Sequence, residues 1–213
     1  MIVDCVSDLH GYYPKIEGGD LLIVAGDLTA RDEPIEHAYF CDWLNECDHK
    51  KKVVIGGNHD NFLQKIPEFF EVIGLCDYLC DSGTEFEGLK IWGSPWTLKF
   101  PGQNPHAMAF ALDSEAELYK KFQHIPKDTD ILITHSPPFT VLDKTLSGHQ
   151  VGSTSLSALY LCNGGFRPKL WVFGHIHESY GKDFGFFHPT MCVNASYVNR
   201  AYKPVNHPIR IEL

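Results

Sequence analysis

The stretch VVIGGNHDNF, residues 53–62, runs from a β-branched segment into two glycines and then presents Asn58, His59 and Asp60 in succession. A strand covered on both faces reads as a short apolar run without polar alternation. This one stops at a Gly-Gly turn, followed by three side chains that cap helices, ligate metals or carry protons. Read alone, the triplet fits a turn and helix cap as readily as a site.

Four further segments share the pattern of KVVI (52–55). IVDCV (2–6), LLIVA (21–25), DILI (130–133) and KLWVF (169–173) are equally short and apolar. They lead into Asp8-Leu9-His10, Gly26-Asp27, Thr134-His135 and Gly174-His175-Ile176-His177. Helical patterns lie between them. Residues 33–50 place Ile35, Ala38, Tyr39, Trp43 and Leu44 at helical spacing, with Pro34 suited to the first turn. Residues 114–125 form a second candidate. Residues 153–163 form a third, capped by Ser153 or Thr154 and stopped by Gly164-Gly165. TEFEGLKIW (84–92) predicts a hairpin turning at Glu87-Gly88, and KFPGQNPH (99–106) predicts a loop. Strands alternating with helices, plus a hairpin, predict an α/β fold with mixed sheets, in one domain over residues 1–213.

Ligands of open α/β sheets bind outside the carboxyl ends of the strands. Five such ends would gather two aspartates, an asparagine and at least four histidines into one crevice. That donor mixture suits divalent transition ions better than calcium or magnesium. Each element has an ordinary alternative. Asp27 could cap a helix, His135 could be a core histidine bonded to backbone, and an extended His-x-His projects both rings to one side without needing a ligand. Their co-occurrence at five strand ends favours a site. His149 and Gln150 either rim that site or lie on a solvated loop, and Asn194 in NASYVN (194–199) either packs near it or touches a ligand.

Composition narrows the partners. With 18 basic against 27 acidic residues the formal charge is −9, so the chain repels nucleic acid and anionic membranes unless it carries a local positive site. The start of the chain has no signal-peptide pattern, and no apolar run approaches a membrane span. Seven cysteines without a Cys-x-x-Cys pair predict free, mostly buried thiols and a cytoplasmic location.

Asp8-x-His10, Gly26-Asp27, GNHD (57–60), His135 and GHIH (174–177) together resemble the five blocks of the calcineurin-like metallophosphoesterases, over residues 4 to about 198. THSPP (134–138), RPKLWVFGHIHESYG (167–181) and NASYVN resemble a narrower branch, the small metallophosphoesterase-domain proteins of the 239AB type, which includes phosphodiesterases. The resemblance implies two mixed β-sheets packed as a sandwich flanked by α-helices, with a metal site at the strand carboxyl ends. It implies two divalent transition ions: manganese, with iron or zinc as alternatives. Asp8, His10 and His177 would hold the first, Asn58, His135 and His175 the second, and Asp27 would bridge them. His59 would be the catalytic histidine. Asp60 would orient it, or would simply cap the following helix. Relatives often carry Asp or Asn where this chain has Ala30, which affects a contact behind the ligands and leaves the ligand set whole.

The function so implied is hydrolysis of a small phosphate ester by a metal-bridging hydroxide, since two ions ~3.5–4 Å apart clamp both sides of an in-line displacement at phosphorus. Two ions, two carboxylates and a hydroxide leave a net charge of about +1. With no arginine evident nearby, that favours a diester, possibly a nucleotide, over a monoester. The alternative is a non-catalytic protein-interaction module on the same fold. No stable nucleic-acid binding and no membrane association are expected, and the oligomeric state is open.

Overall fold

The computed structural model describes residues 1–100, 102–162, 164 and 166–213. The chain begins with β1 (Ile2–Val6) and β2 (Gly19–Ala25), followed by α1 (Pro34–Glu46) and β3 (His49–Ile55). Short helices α2 (Asn61–Lys65) and α3 (Phe69–Ile73) lead to β4 (Asp77–Tyr78). The hairpin of β5 (Ser82–Phe86) and β6 (Leu89–Ser94) turns at Glu87 and Gly88, whose φ values of 50° and 77° are those of a two-residue hairpin turn. Next come β7 (Thr97–Leu98), β8 (Ala111–Leu112), α4 (Glu115–Phe122) and β9 (Ile131–Thr134). Helix α5 (Thr154–Cys162), β10 (Leu170–Phe173), β11 (Gly181–Asp183), β12 (Met191–Asn194) and β13 (Ile209–Glu212) complete the chain.

Two mixed sheets result. One has the order β13-β1-β2-β3-β4 and is parallel except for β13. The other, β11-β12-β10-β9-β6-β5, is parallel in the middle and antiparallel at both edges. Strands β7 and β8 form a separate small pair. Val3, Cys5, Ile23 and Ile55 of the first sheet pack on Ile131, Ile133, Val172 and Val193 of the second. The outer face of the first sheet lies under Phe40, Leu44, Leu63 and Phe70, and that of the second under Leu118, Phe122, Leu156 and Tyr160. Helices therefore cover a two-sheet sandwich on both sides. Double coverage explains why the central strands read as unbroken apolar runs.

Some local expectations need correction. Helix α1 stops at Glu46, because residues from His49 onward pair with β2 instead. Its inner face is His37, Phe40, Trp43 and Leu44, while Ile35 and Tyr39 are 53% and 56% exposed. The phase is set by Phe40 and Leu44 in the core, and His37 is tolerated there because its Nε2 lies 2.9 Å from Asp32 Oδ1. Helix α5 is capped by Ser153, whose Oγ accepts from the Leu156 N–H at 3.4 Å; Gly165 of the expected stop lies outside the described residues. All seven cysteines are free, but only Cys5, Cys47 and Cys192 are buried. No helix among the described residues is long and apolar enough to cross a membrane.

The end of the first sheet opposite to the strand carboxyl ends is held by a buried charge. Asp4 accepts from Arg210 Nε at 2.9 Å and Nη2 at 2.8 Å, and lies 2.9 Å from His49 Nε2, so one carboxylate joins β1, β3 and β13. Burial alone would raise its pKa, but Arg210 and His49 outweigh that and hold it below the ordinary value. A depressed carboxylate stabilises the fold above its unfolded pKa and loses that contribution as pH falls through its folded pKa. Asp4→Asn should cost about 2 kcal/mol near pH 7, below the usual cost of a broken buried pair because Arg210 keeps some contact with water. Urea melts across pH should show the gap from wild type narrowing below pH 3.8; a gap independent of pH would refute the charge assignment.

Candidate metal centre

The five strands β1, β2, β3, β9 and β10 deliver their carboxyl ends to one rim where the two sheets meet. There the backbone turns sharply. Asp8, His10, Asp27 and His175 adopt φ values of 51°, 44°, 55° and 67°. Left-handed backbone is uncommon outside glycine and is tolerated best by Asp, Asn and His. Backbone bonds pin these turns: Asp8 N–H donates to Gly26 O at 2.9 Å and His10 N–H to Asp27 O at 3.0 Å. Four of the seven expected ligands thus sit in strained backbone, as residues at functional sites often do.

The GHIH segment is not extended. His175 is left-handed and His177 opens a 3-10 turn over His177–Ser179, so the two rings diverge instead of projecting to one side. His177 Nε2 lies 3.2 Å from Asp8 Oδ1 and 3.4 Å from His10 Nε2. The His175 ring instead faces His135, with centroids 5.1 Å apart. Asp27 stands between the two groups with its oxygens divided. Oδ2 lies 3.6 Å from His10 Nε2, and Oδ1 lies 3.4 Å from His135 Nε2. Asn58 Oδ1 joins the second group, 3.0 Å from His135 Nε2.

The chemistry of these contacts fits cations. His135 Nδ1 lies 2.8 Å from the Ala25 carbonyl, which can only accept, so Nδ1 carries a proton and Nε2 is the nitrogen left pointing at two oxygens. His177 Nδ1 likewise donates to Asn199 O at 3.2 Å, turning its Nε2 toward Asp8 and His10. Fixing a ring through its outer N–H is the usual arrangement of a metal-ligating histidine. Oxygens and ring nitrogens that converge in this way repel unless positive charge, a proton or a metal ion, lies between them. The titration behaviour agrees. Burial opposes charge on His135, yet Asp27 and Asp8 override it and raise its pKa to about 9. His177 is raised by Asp8 against the same opposition. Burial dominates at His10 and His175, lowering them to about 4 and about 3. Asp8, His10 and His177 form one group able to hold an ion; Asp8, Asp27 and His135 form another. His59 makes a third with His10 and Asp27.

His59 is anchored through its N–H, which donates to Asp27 Oδ1 at 2.9 Å, and its ring stands edge-on to His10 with centroids 4.7 Å apart. No protein hydrogen bond fixes that ring among the described residues. Asp60 does not orient it, and its side chain does not cap α2 either. Fully buried, it accepts from the N–H groups of Gly57, Asp27 and Leu28 at 2.7, 2.9 and 3.0 Å. Burial and the Asp27 charge push its pKa well up, and the N–H groups of Gly57 and Leu28 oppose them. Asp60 thereby holds the Asp27 loop to the GNHD turn.

Several contributors are not evident in the sequence. Ser196 Oγ donates to Asp8 Oδ2 at 2.8 Å and lies 2.7 Å from Asn194 Oδ1, so Asn194 reaches Asp8 through a serine. Both belong to the end of β12, a sixth parallel strand whose polar terminus was the available signal. Gly174 and Gly57 leave room that no other residue can. A Cβ at Gly174 would overlap Asp8 Oδ2 and Ser7 Oγ, and one at Gly57 would overlap Asp27 Oδ1 and stand 2.6 Å from His135 Cε1. Tyr202, with φ 55°, sets its ring 4.8 Å from His10 and 5.3 Å from His177. Arg200 lines the same cleft, so an arginine does neighbour the site. His149 is exposed, while Gln150 lines an adjoining cavity, and Ala30 is exposed.

Comparison with known proteins agrees with this geometry. A family profile described as "Calcineurin-like phosphoesterase" matches residues 1–179. The chain is 37% identical over 236 residues to the human "Metallophosphoesterase domain-containing protein 1", covering 98% of this chain and 70% of that protein. It is 32% identical to a Caenorhabditis elegans protein of the UPF0046 group, covering 94% and 78%. Among solved structures it resembles TT1561 of Thermus thermophilus, with a TM-score of 0.61 and 15% identity over 91% of this chain and 88% of that one, a likeness of fold alone.

Proposed function

The chain belongs to the calcineurin-like phosphoesterase family, and on that premise we propose that residues 1–213 act as one domain that hydrolyses a small phosphodiester with two divalent transition ions, manganese in preference to iron or zinc. One observation carries the reading: Asp27 turns one oxygen toward each of two groups of converging donor atoms. Asp8, His10, His177 and Asp27 Oδ2 would hold the first ion. Asp27 Oδ1, Asn58, His135 and His175 would hold the second. Bound there, the ions would supply Lewis acidity and lower the pKa of water toward neutrality.

The chain's own residues supply the rest. Ser196 and the His175 N–H fix both oxygens of Asp8, and the Ala25 and Asn199 carbonyls fix the tautomers of His135 and His177. Asp60 keeps Asp27 in register with Asn58. His59, its ring uncommitted, serves as proton donor to the leaving oxygen, the part that imidazole most often plays in general acid catalysis. The charge argument for a diester weakens with Arg200 present. Shape replaces it: the cleft over the centre shares His175 and Ile176 with one neighbouring cavity and His177 and Glu178 with another, which offers one arm for each substituent of a diester. Metal analysis of the reconstituted protein should find close to two ions per chain. Chelation should abolish hydrolysis, and bis(p-nitrophenyl) phosphate should be preferred to p-nitrophenyl phosphate. One ion or none, or a clear preference for the monoester, would overturn the reading.

A further inference from the structure

The two arms differ in chemistry. The arm beyond His175, a cavity of about 540 Å³, is walled by Leu98, Phe100, Phe139 and Val151. It also contains two charged residues, but both are committed elsewhere. Lys99 Nζ pairs with Asp113 at 2.8 Å. Glu115 accepts from Ser153 Oγ and from the N–H groups of Thr154 and Ser155 at the start of α5. To a ligand this arm is apolar.

The arm beyond His177 is the more polar of the two, although Leu146, Tyr180 and Ala201 also line it. Glu178, Asn199, Arg200 and Asn206 line it. Neither Glu178 nor Arg200 has a side-chain hydrogen bond or ion pair among the described residues. Asn206 donates through Nδ2 to Ser196 O and keeps its Oδ1 free among those residues. The backbone that carries Arg200 is held in place. Its predecessor Asn199 accepts His177 Nδ1–H, and the Asn199 side chain accepts from the N–H groups of Ala201 and Lys203. Two residues on, the Tyr202 ring packs on His10 and His177. A turn tied to the candidate ligands thus carries Arg200, the one lysine or arginine lining the central cleft among the described residues.

We propose that the arms read two unlike substituents of one substrate: an aryl or alkyl group between Phe139 and Val151, and a hydroxyl-rich group, of polyol chemistry, held by Arg200 and Glu178. A carboxylate and a guanidinium lining one cavity without pairing to each other suit hydroxyls, which donate to one and accept from the other, better than they suit a simple anion. The substrate class is then an asymmetric diester with one apolar and one polyol arm. The assignment rests on the diesterase reading above.

Two synthetic esters share a leaving group and separate the arms: p-nitrophenyl 2,3-dihydroxypropyl phosphate and p-nitrophenyl propyl phosphate. Dissociation constants are to be measured by calorimetry on the manganese-loaded protein with the matching phosphonates, in which a methylene replaces the p-nitrophenyl ester oxygen and that bond cannot be cleaved, and KM with the esters themselves. The dihydroxypropyl ester should bind roughly tenfold tighter, the worth of one or two hydrogen bonds to charged groups. R200A should collapse that ratio to about one. V151D should weaken both esters together. Equal affinities for the two esters, or a ratio that survives R200A, would overturn the assignment of the polar arm. V151D without effect would overturn that of the apolar arm. A retained binding preference without hydrolysis of either ester by the loaded wild type would leave the arms standing and sink the diesterase reading instead.

Discussion

Asp27→Ala is expected to cost the protein both ions and to lower kcat/KM by roughly 10³-fold or more, the several kcal/mol that metal assistance supplies. The two oxygens of Asp27 lie 3.6 Å from His10 Nε2 and 3.4 Å from His135 Nε2, whereas Asp8, which also neighbours both groups, has its oxygens engaged by Ser196 and the His175 N–H. The Asp27 carboxylate receives the His59 N–H, so the variant also frees the loop that carries the proposed acid. The fold should persist, because Asp60 still bonds the backbone of residues 27, 28 and 57. His135→Ala, by contrast, should lose one ion. Elemental analysis beside circular dichroism checks both, and an Asp27→Ala protein that keeps two ions would refute the bridge.

His59→Ala separates proton donation from metal binding. Its ring nitrogens approach His10 and Asp27 closely enough for a shared ion, yet both neighbours also belong to groups that are complete without it. As a proton donor, His59 is dispensable for the ions: the variant should keep both and lose roughly 10²–10⁴-fold in kcat. The loss should be smaller for a p-nitrophenyl ester than for an alkyl ester of the same phosphate, since p-nitrophenolate departs without help. Equal losses with unchanged metal content would leave His59 a role in holding phosphate oxygens. Loss of an ion would make it a ligand.

Much of this architecture is legible in the sequence because apolar strands covered on both faces differ sharply from their polar ends. The runs around Val53, Ile131 and Val172 mark strands, and the polar residues at their carboxyl ends mark the rim. Backbone hand is not legible. Nothing in GHIH announces that His175 turns left-handed and sends its ring away from His177, because its N–H is bonded by the Asp8 carboxylate, 167 residues away in the chain. The role of Asp60 is hidden for a related reason. Its position beside His59 is evident in sequence, while the three N–H groups that claim its carboxylate come from two loops, one of them about thirty residues away. The inner face of α1 differs from the expected one because His37 is polar by composition and buried by virtue of Asp32. Ser196, Arg200 and Tyr202 belong to a connection with no apolar period, where only three-dimensional proximity assigns a part.

Each proposed ion takes donors from both halves of the sandwich. Asp8, His10, Asp27 and Asn58 come after strands of the first sheet, whereas His135, His175 and His177 come after strands of the second. An ion held in this way is a cross-link between layers that otherwise meet through aliphatic side chains and the few hydrogen bonds at the rim. Its binding energy then adds to the resistance of the sandwich to separation, by ~2.7 kcal/mol for a ligand present at a hundred times its dissociation constant. The coupling runs in both directions. Shaving a methyl group from Ile133 or Val172, in the buried interface between the layers, should loosen the grip on metal although neither residue touches it. Cofactor occupancy and mechanical integrity become one equilibrium, and a shortage of the ion should be felt first as a softening of the seam.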